Sequence, residues 1–73
     1  MQVLNPPELF ACVESGLYRS NAFQADNFSF IKTLHLKTIV YVSPDMPLKD
    51  VYNFIQYEGI QLVRIWLIQV LIF

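Results

Sequence analysis

The chain has 73 residues, 55% apolar and only 15% charged, which excludes an intrinsically disordered tail built on low hydrophobicity and high charge. Five Lys and Arg against six Asp and Glu leave a net charge of −1, so no electrostatic footprint for nucleic acid or an acidic membrane surface is present. One Cys excludes an internal disulfide framework, one Cys with one His cannot close a structural zinc site without another chain, and the distant Gly16 and Gly59 form no glycine-rich phosphate loop.

The length allows one small domain. A chain of about 60 residues buries only about 60% of its unfolded surface, so such cores are marginal. This much apolar surface with no staple predicts a fragment of a larger domain, or a chain that needs a partner.

Met1 to Leu9 lacks the basic start and apolar run of a signal peptide. A reducing, cytoplasmic setting is expected, and the unpaired thiol agrees with it. Pro6-Pro7 favours an extended start, because Pro fixes its own φ and restrains the residue before it. Phe10 to Val13 and Leu17 to Arg19 read as two short extended pieces around Glu14-Ser15-Gly16. Gly16 can supply the positive φ of a tight turn, so an antiparallel hairpin is expected. After a polar connection from Asn21 to Asp26, either Asp26 or Asn27 can N-cap a helix over roughly 27–35. Phe28, Ile31 and Leu34 follow at helical spacing.

Thr38-Ile39-Val40-Tyr41-Val42 is β-branched or aromatic throughout, which predicts a parallel strand buried on both faces. Ser43-Pro44-Asp45-Met46-Pro47 breaks the chain, with Pro47 placed near the first turn of a helix over 48–58. Leu48, Val51, Tyr52 and Ile55 form its apolar stripe, and Gly59 ends it. A strand over 60–66 follows. Strand, helix and strand in this order make a βαβ unit with 38–42 and 60–66 parallel and adjacent. The expected core is Ile39, Val40, Val42, Val51, Ile55, Leu62 and Val63, with Ile31 and Leu34 packed on the sheet. From Ile60 to Phe73, eleven of fourteen residues are apolar, too short a run to span a bilayer. A buried strand that runs on is expected there; a membrane-facing or partner-facing segment is the alternative.

Few side chains carry chemistry. Cys12 lies among Phe10, Ala11 and Val13 and reads as a buried structural thiol, since nothing near it would stabilise a thiolate. His35, at a helix end, caps or packs. Asp45 reads as a helix cap and is separated from Asp50 by a proline turn. Tyr41, Tyr52, Tyr57 and Trp66 read as core and rim aromatics. Arg19 has two open readings: a structural anchor hydrogen-bonding neighbouring backbone, or an oxyanion ligand.

Four segments together carry a resemblance. They are Asn5-Pro6-Pro7 with Phe10, Val13-Glu14-Ser15-Gly16-Leu17-Tyr18-Arg19-Ser20, Asn27-Phe28-Ser29-Phe30-Ile31-Lys32-Thr33-Leu34, and Leu36-Lys37-Thr38-Ile39-Val40-Tyr41-Val42. In this order they resemble the N-terminal half of the fungal and plant atypical dual-specificity phosphatases, the Siw14/Oca-like tyrosine phosphatase group. The resemblance covers residues 5–65. It implies an incomplete phosphatase-like three-layer α/β domain, with an N-terminal hairpin plus the βαβ unit. Residues 66–73 depart from the pattern as an apolar tail, as a truncated or frame-shifted reading frame would produce.

The resemblance also implies a cysteine-dependent hydrolase of phosphotyrosine-like or inositol pyrophosphate substrates. In that family a His-Cys-x-x-Gly-x-x-Arg loop supplies the thiolate, the backbone donors and the Arg, and a separate Asp protonates the leaving group. These 73 residues contain no such loop. Arg19 follows Cys12 by seven positions where the loop needs six, Ala11 stands where the His belongs, and Glu14 would put a carboxylate in the phosphate cradle. No catalytic, cofactor-binding or metal-binding residue is therefore assigned, and no cofactor is implied. Tyr18 and Arg19 match family positions as scaffold. The expected function is that of a truncated, inactive phosphatase-family member in the cytoplasm. The alternative is a non-catalytic interaction module pairing with another protein chain through its sheet edge and apolar C-terminal segment. Membrane anchoring ranks last, because no basic cluster flanks that segment.

Overall fold

A computed structural model describes residues 4–65. They form two compact α/β units that divide between Leu36 and Lys37.

In the first unit, β1 (Ala11–Glu14) and β2 (Leu17–Arg19) pair antiparallel around Ser15-Gly16. Gly16 takes φ +81°, which explains the Gly at this turn. Ala11 pairs with Arg19 and Cys12 with Tyr18, but the next pair is Glu14 with Leu17. Val13 is thus the extra residue of a β-bulge, which bends the short hairpin. Phe10 stacks on Tyr18 with ring centroids 5.6 Å apart, and meets Phe30 edge-on at 4.8 Å. This aromatic cluster is the apolar contact of the hairpin.

A tight turn precedes the hairpin. The Phe10 N–H donates to the Pro7 carbonyl at 3.2 Å, and Leu9 takes φ +58°. A non-Gly residue is uncommon in that region.

A short 3₁₀ turn, Ala25–Asn27, leads into α1 (Phe28–Thr33). Asn27 is the N-cap of α1, but its side chain works elsewhere. Its Oδ1 accepts from the Gln24 N–H and its Nδ2 donates to the Asn5 carbonyl, both at 2.9 Å. It is buried and ties the start of the chain to the 3₁₀ turn. Asn27→Ala would remove two part-buried hydrogen bonds, at a cost of about 1–3 kcal/mol. Urea unfolding should show that loss in the midpoint; an unchanged midpoint would mean that water replaces both bonds.

The end of α1 is set by backbone. Leu34 is its C-cap, and His35 follows with φ +51° while its N–H donates to the Lys32 carbonyl at 3.3 Å. His35 therefore caps through its main chain, with its ring exposed. His35→Val should cost about 1–2 kcal/mol, because a β-branched side chain is strained at positive φ. His35→Gly should not lower the thermal midpoint. Equal midpoints for the Val and Gly variants would show that the helix end is not held in this conformation.

In the second unit, β3 (Thr38–Val42) and β4 (Gln61–Ile65) pair parallel in register, from Thr38 with Gln61 to Val42 with Ile65. The ladder extends at both ends, with Gln61 N–H on the Lys37 carbonyl at 2.9 Å and Ser43 N–H on the Ile65 carbonyl at 3.0 Å. α2 (Lys49–Tyr57) connects them and contacts β4. The expected βαβ order, spans and parallel pairing agree with this arrangement. Trp66 lies outside the described residues.

Both ends of α2 have physical causes. Asp50 Oδ1 accepts the Val51 N–H at 2.8 Å, satisfying a first-turn donor where the N-cap, Leu48, has no side-chain acceptor. At the other end Gly59 takes φ +69°. Its N–H donates to Gln56 and that of Ile60 to Ile55, both at 3.1 Å, the paired bonds of a Schellman motif. Ile55 and Ile60, the residues this motif brings together, are both buried.

The core is smaller than expected. Among the described residues of this unit, Val51, Ile55 and Ile60 are its buried aliphatic side chains. Ile39 and Leu62 are half-buried, whereas Val40, Val42 and Val63 are exposed, as is Ile65. Burial alternates along β3, so the expectation of a strand buried on both faces is corrected. The unit described has one helix for two strands, and one helical layer covers one face. Leu48 and Tyr52 are also exposed, so the stripe of α2 narrows to Val51 and Ile55, one turn apart. In the first unit Ile31 is buried and Leu34 half-buried. Tyr57 points to solvent, and Tyr41 is half-buried.

Candidate functional site

The hairpin register puts Arg19 at the end of β2, opposite Ala11. The chain then turns back, and the Asn21 N–H donates to the Glu8 carbonyl at 2.9 Å. That bond joins the Pro7–Phe10 turn to the segment after β2. Between them lies an open cavity of about 480 Å³, lined by Leu9, Phe10, Ala11, Arg19, Ser20 and Asn21.

Leu9, Phe10 and Ala11 supply its apolar lining, and Arg19, Ser20 and Asn21 its polar lining. Ser20 Oγ donates to the Asn21 carbonyl at 2.8 Å. The Arg19 guanidinium is exposed and has no hydrogen bond or ion pair among the described residues. The same holds for the Asn21 side-chain amide. The anchor reading of Arg19, which required bonds to neighbouring backbone, is therefore not what these residues show. No carboxylate lines the cavity.

The other sequence candidates lie apart from it. Cys12 is exposed, which corrects the expectation of a buried thiol. The reason is local: β1 belongs to a two-stranded hairpin in which only Ala11 and Tyr18 are even half-buried. Cys12 Sγ donates to the Glu14 carbonyl at 3.3 Å and does not line the cavity. Asp45 does not cap α2. Its N–H donates to Ser43 Oγ at 3.1 Å inside the proline turn, and its side chain is exposed. Asp50 serves the first turn of α2. Among the described residues no group of three His, Cys, Asp or Glu is placed to hold a metal ion.

Chemically, the lining offers a cation, an amide donor and the Ser20 hydroxyl, and no general base that could activate that hydroxyl is among it. Sequence reasoning singled out Arg19 and missed the rest. Nothing in the sequence shows that Leu9 takes positive φ, or that Asn21 meets Glu8 across thirteen positions. Among the described residues no helix is long and apolar enough to cross a membrane.

Residues 4–69 match the model of a tyrosine phosphatase family. Inositol diphosphatase DSP3 of Arabidopsis thaliana is 42% identical over 62 residues, which is 85% of this chain and 30% of that relative. Inositol diphosphatase SIW14 of Saccharomyces cerevisiae is 36% identical over 61 residues, 82% of this chain and 22% of the relative. The solved core catalytic domain of the PP-IP phosphatase SIW14 from S. cerevisiae, in complex with citrate, superimposes with a TM-score of 0.88 at 34% identity. That match covers 96% of this chain and 44% of the solved one. The fold is therefore a part of that catalytic-core fold, and the chain spans well under half the length of these relatives.

Proposed function

The chain belongs to the tyrosine phosphatase family, and from that premise we propose that it is the N-terminal scaffold portion of one cysteine-dependent phosphatase domain of the inositol pyrophosphate type. The proposal includes that these 73 residues, by themselves, do not hydrolyse phosphate esters. One observation carries the second statement. The only Cys is an exposed hairpin residue, seven positions from Arg19, and no His-Cys-x-x-Gly-x-x-Arg loop occurs in the sequence. Similarity to inositol diphosphatases supports the substrate class, in which a longer protein containing the loop would act. A cytoplasmic setting belongs to the same reading and is supported by the single free thiol. The test is turnover of an aryl phosphate and of an inositol pyrophosphate by the 73-residue chain and its Cys12→Ser variant.

A second reading, a non-catalytic interaction module, is favoured by a different observation. Val40, Val42, Val63 and Ile65 lie exposed on one face of the β3–β4 pair. Parallel strands are rarely left so, and exposed strand edges invite pairing with another chain. The apolar segment 66–73, the other surface in this reading, lies outside the described residues. Sedimentation over a range of concentrations tests it: self-association lost in Val40→Lys supports the module, and a monomer at all concentrations argues against pairing of copies.

A further inference from the structure

We propose that the Arg19 cavity binds a small organic oxyanion, with the charged group on Arg19 and Asn21 and the organic portion against Leu9, Phe10 and Ala11. Five observations meet there. The guanidinium is exposed and has no partner among the described residues. The amide of Asn21, two positions on, is a second uncommitted donor in the same lining. No carboxylate in that lining competes for the charge. Leu9, Phe10 and Ala11 add an apolar part to the lining, and the open volume of about 480 Å³ has room for more than a bare ion. Finally, Leu9 holds a left-handed φ of +58° at the cavity wall, a conformation kept only where surrounding structure fixes it. Here the Phe10–Pro7 and Asn21–Glu8 bonds fix it.

The chemistry follows from the donors. A guanidinium presents a planar fork of N–H groups that matches two oxygens of a phosphoryl or carboxylate group. The Asn21 Nδ2 donates to one of these oxygens from the side. Ser20 contributes only if its hydroxyl turns from the Asn21 carbonyl to the ligand, exchanging one hydrogen bond for another. Nothing at the site attacks the bound group, so the ligand leaves unchanged. The site does not depend on the proposed phosphatase role, and Cys12 takes no part in it.

The experiment is an amide- and guanidinium-detected NMR titration of the ¹⁵N-labelled chain with phenyl phosphate, benzoate and the neutral benzamide. Saturable shifts at Arg19, Ser20 and Asn21 with at least one oxyanion, and none with benzamide, are expected. Which oxyanion binds more tightly separates a phosphoryl from a carboxylate ligand. Arg19→Gln should weaken binding about tenfold or more, the loss of one charge-assisted hydrogen-bonded contact. Arg19→Lys should retain part of it, and Cys12→Ser all of it. Asn21→Ala serves as the second variant, and the ring-shifted resonances of the Phe10, Tyr18 and Phe30 cluster report that each protein is folded. Binding that survives Arg19→Gln, equal binding of benzamide, or no saturable shift with either oxyanion overturns the proposal.

Discussion

Ile55→Ala is expected to abolish cooperative unfolding of the βαβ unit. Ile55 is the one fully buried large side chain among the described residues, at 0% exposure. It also accepts, through its carbonyl, the Ile60 N–H that closes α2. Truncating a buried Ile to Ala costs roughly 2–5 kcal/mol in lost transfer energy and residual cavity. A core in a chain of fewer than about 80 residues rarely supplies more than about 3–5 kcal/mol. The deficit thus equals the whole margin. Ile55→Val removes one methyl group and should cost only about 0.5–1.5 kcal/mol, leaving a lower but still sigmoidal transition. Tyr57→Ala, at an exposed site in the same helix, should stay within about 0.5 kcal/mol of wild type. Circular dichroism at 222 nm against temperature separates the three. A wild-type melting curve for Ile55→Ala would show that α2 is not docked on the strands.

The second large effect is an absence of turnover. Wild-type chain and Cys12→Ser should give the same rate as buffer with both an aryl phosphate and an inositol pyrophosphate. Removing a single oxyanion donor from an enzyme costs about 100- to 1000-fold in turnover. Here the nucleophile, the ring of backbone donors and the Arg of the family loop are all missing from the sequence together. Cys12 is no replacement. Its thiol donates to a carbonyl, the carboxylate of Glu14 is two positions away, and the free cation of the hairpin, Arg19, lines a cavity that Cys12 does not. Turnover that vanishes in Cys12→Ser would make that thiol a nucleophile and overturn the scaffold reading. Binding of an oxyanion at Arg19 without turnover is compatible with it.

Local pattern carried a great deal of this protein. The hairpin, both helices and the two parallel strands follow from Gly16 and Gly59 at turn and cap positions, from Phe28 and Ile31, and Val51 and Ile55, at helical spacing, and from the unbroken run Thr38 to Val42 with the apolar stretch that opens at Ile60. These are properties of a few adjacent residues, and backbone sterics reads them locally. The family was legible for the same reason, since its motifs are short contiguous stretches; the missing Cys-Arg loop was legible because it too is contiguous. Burial was a different matter. Thr38 to Val42 reads alike whether one or two faces are covered, and only the layers around it decide; with one helix serving two strands, Val40 and Val42 face solvent. Cys12 came out exposed on the same logic, because a hairpin of two strands shields little. Asn27 as a bridge to Asn5 and the cavity at Arg19 were set by contacts between distant residues, and His35 as a left-handed cap carried no glycine signal in the sequence. Whether an Arg is an anchor or an available ligand depends on which carbonyls come within hydrogen-bonding reach of its fork, and spacing along the chain does not contain that distance.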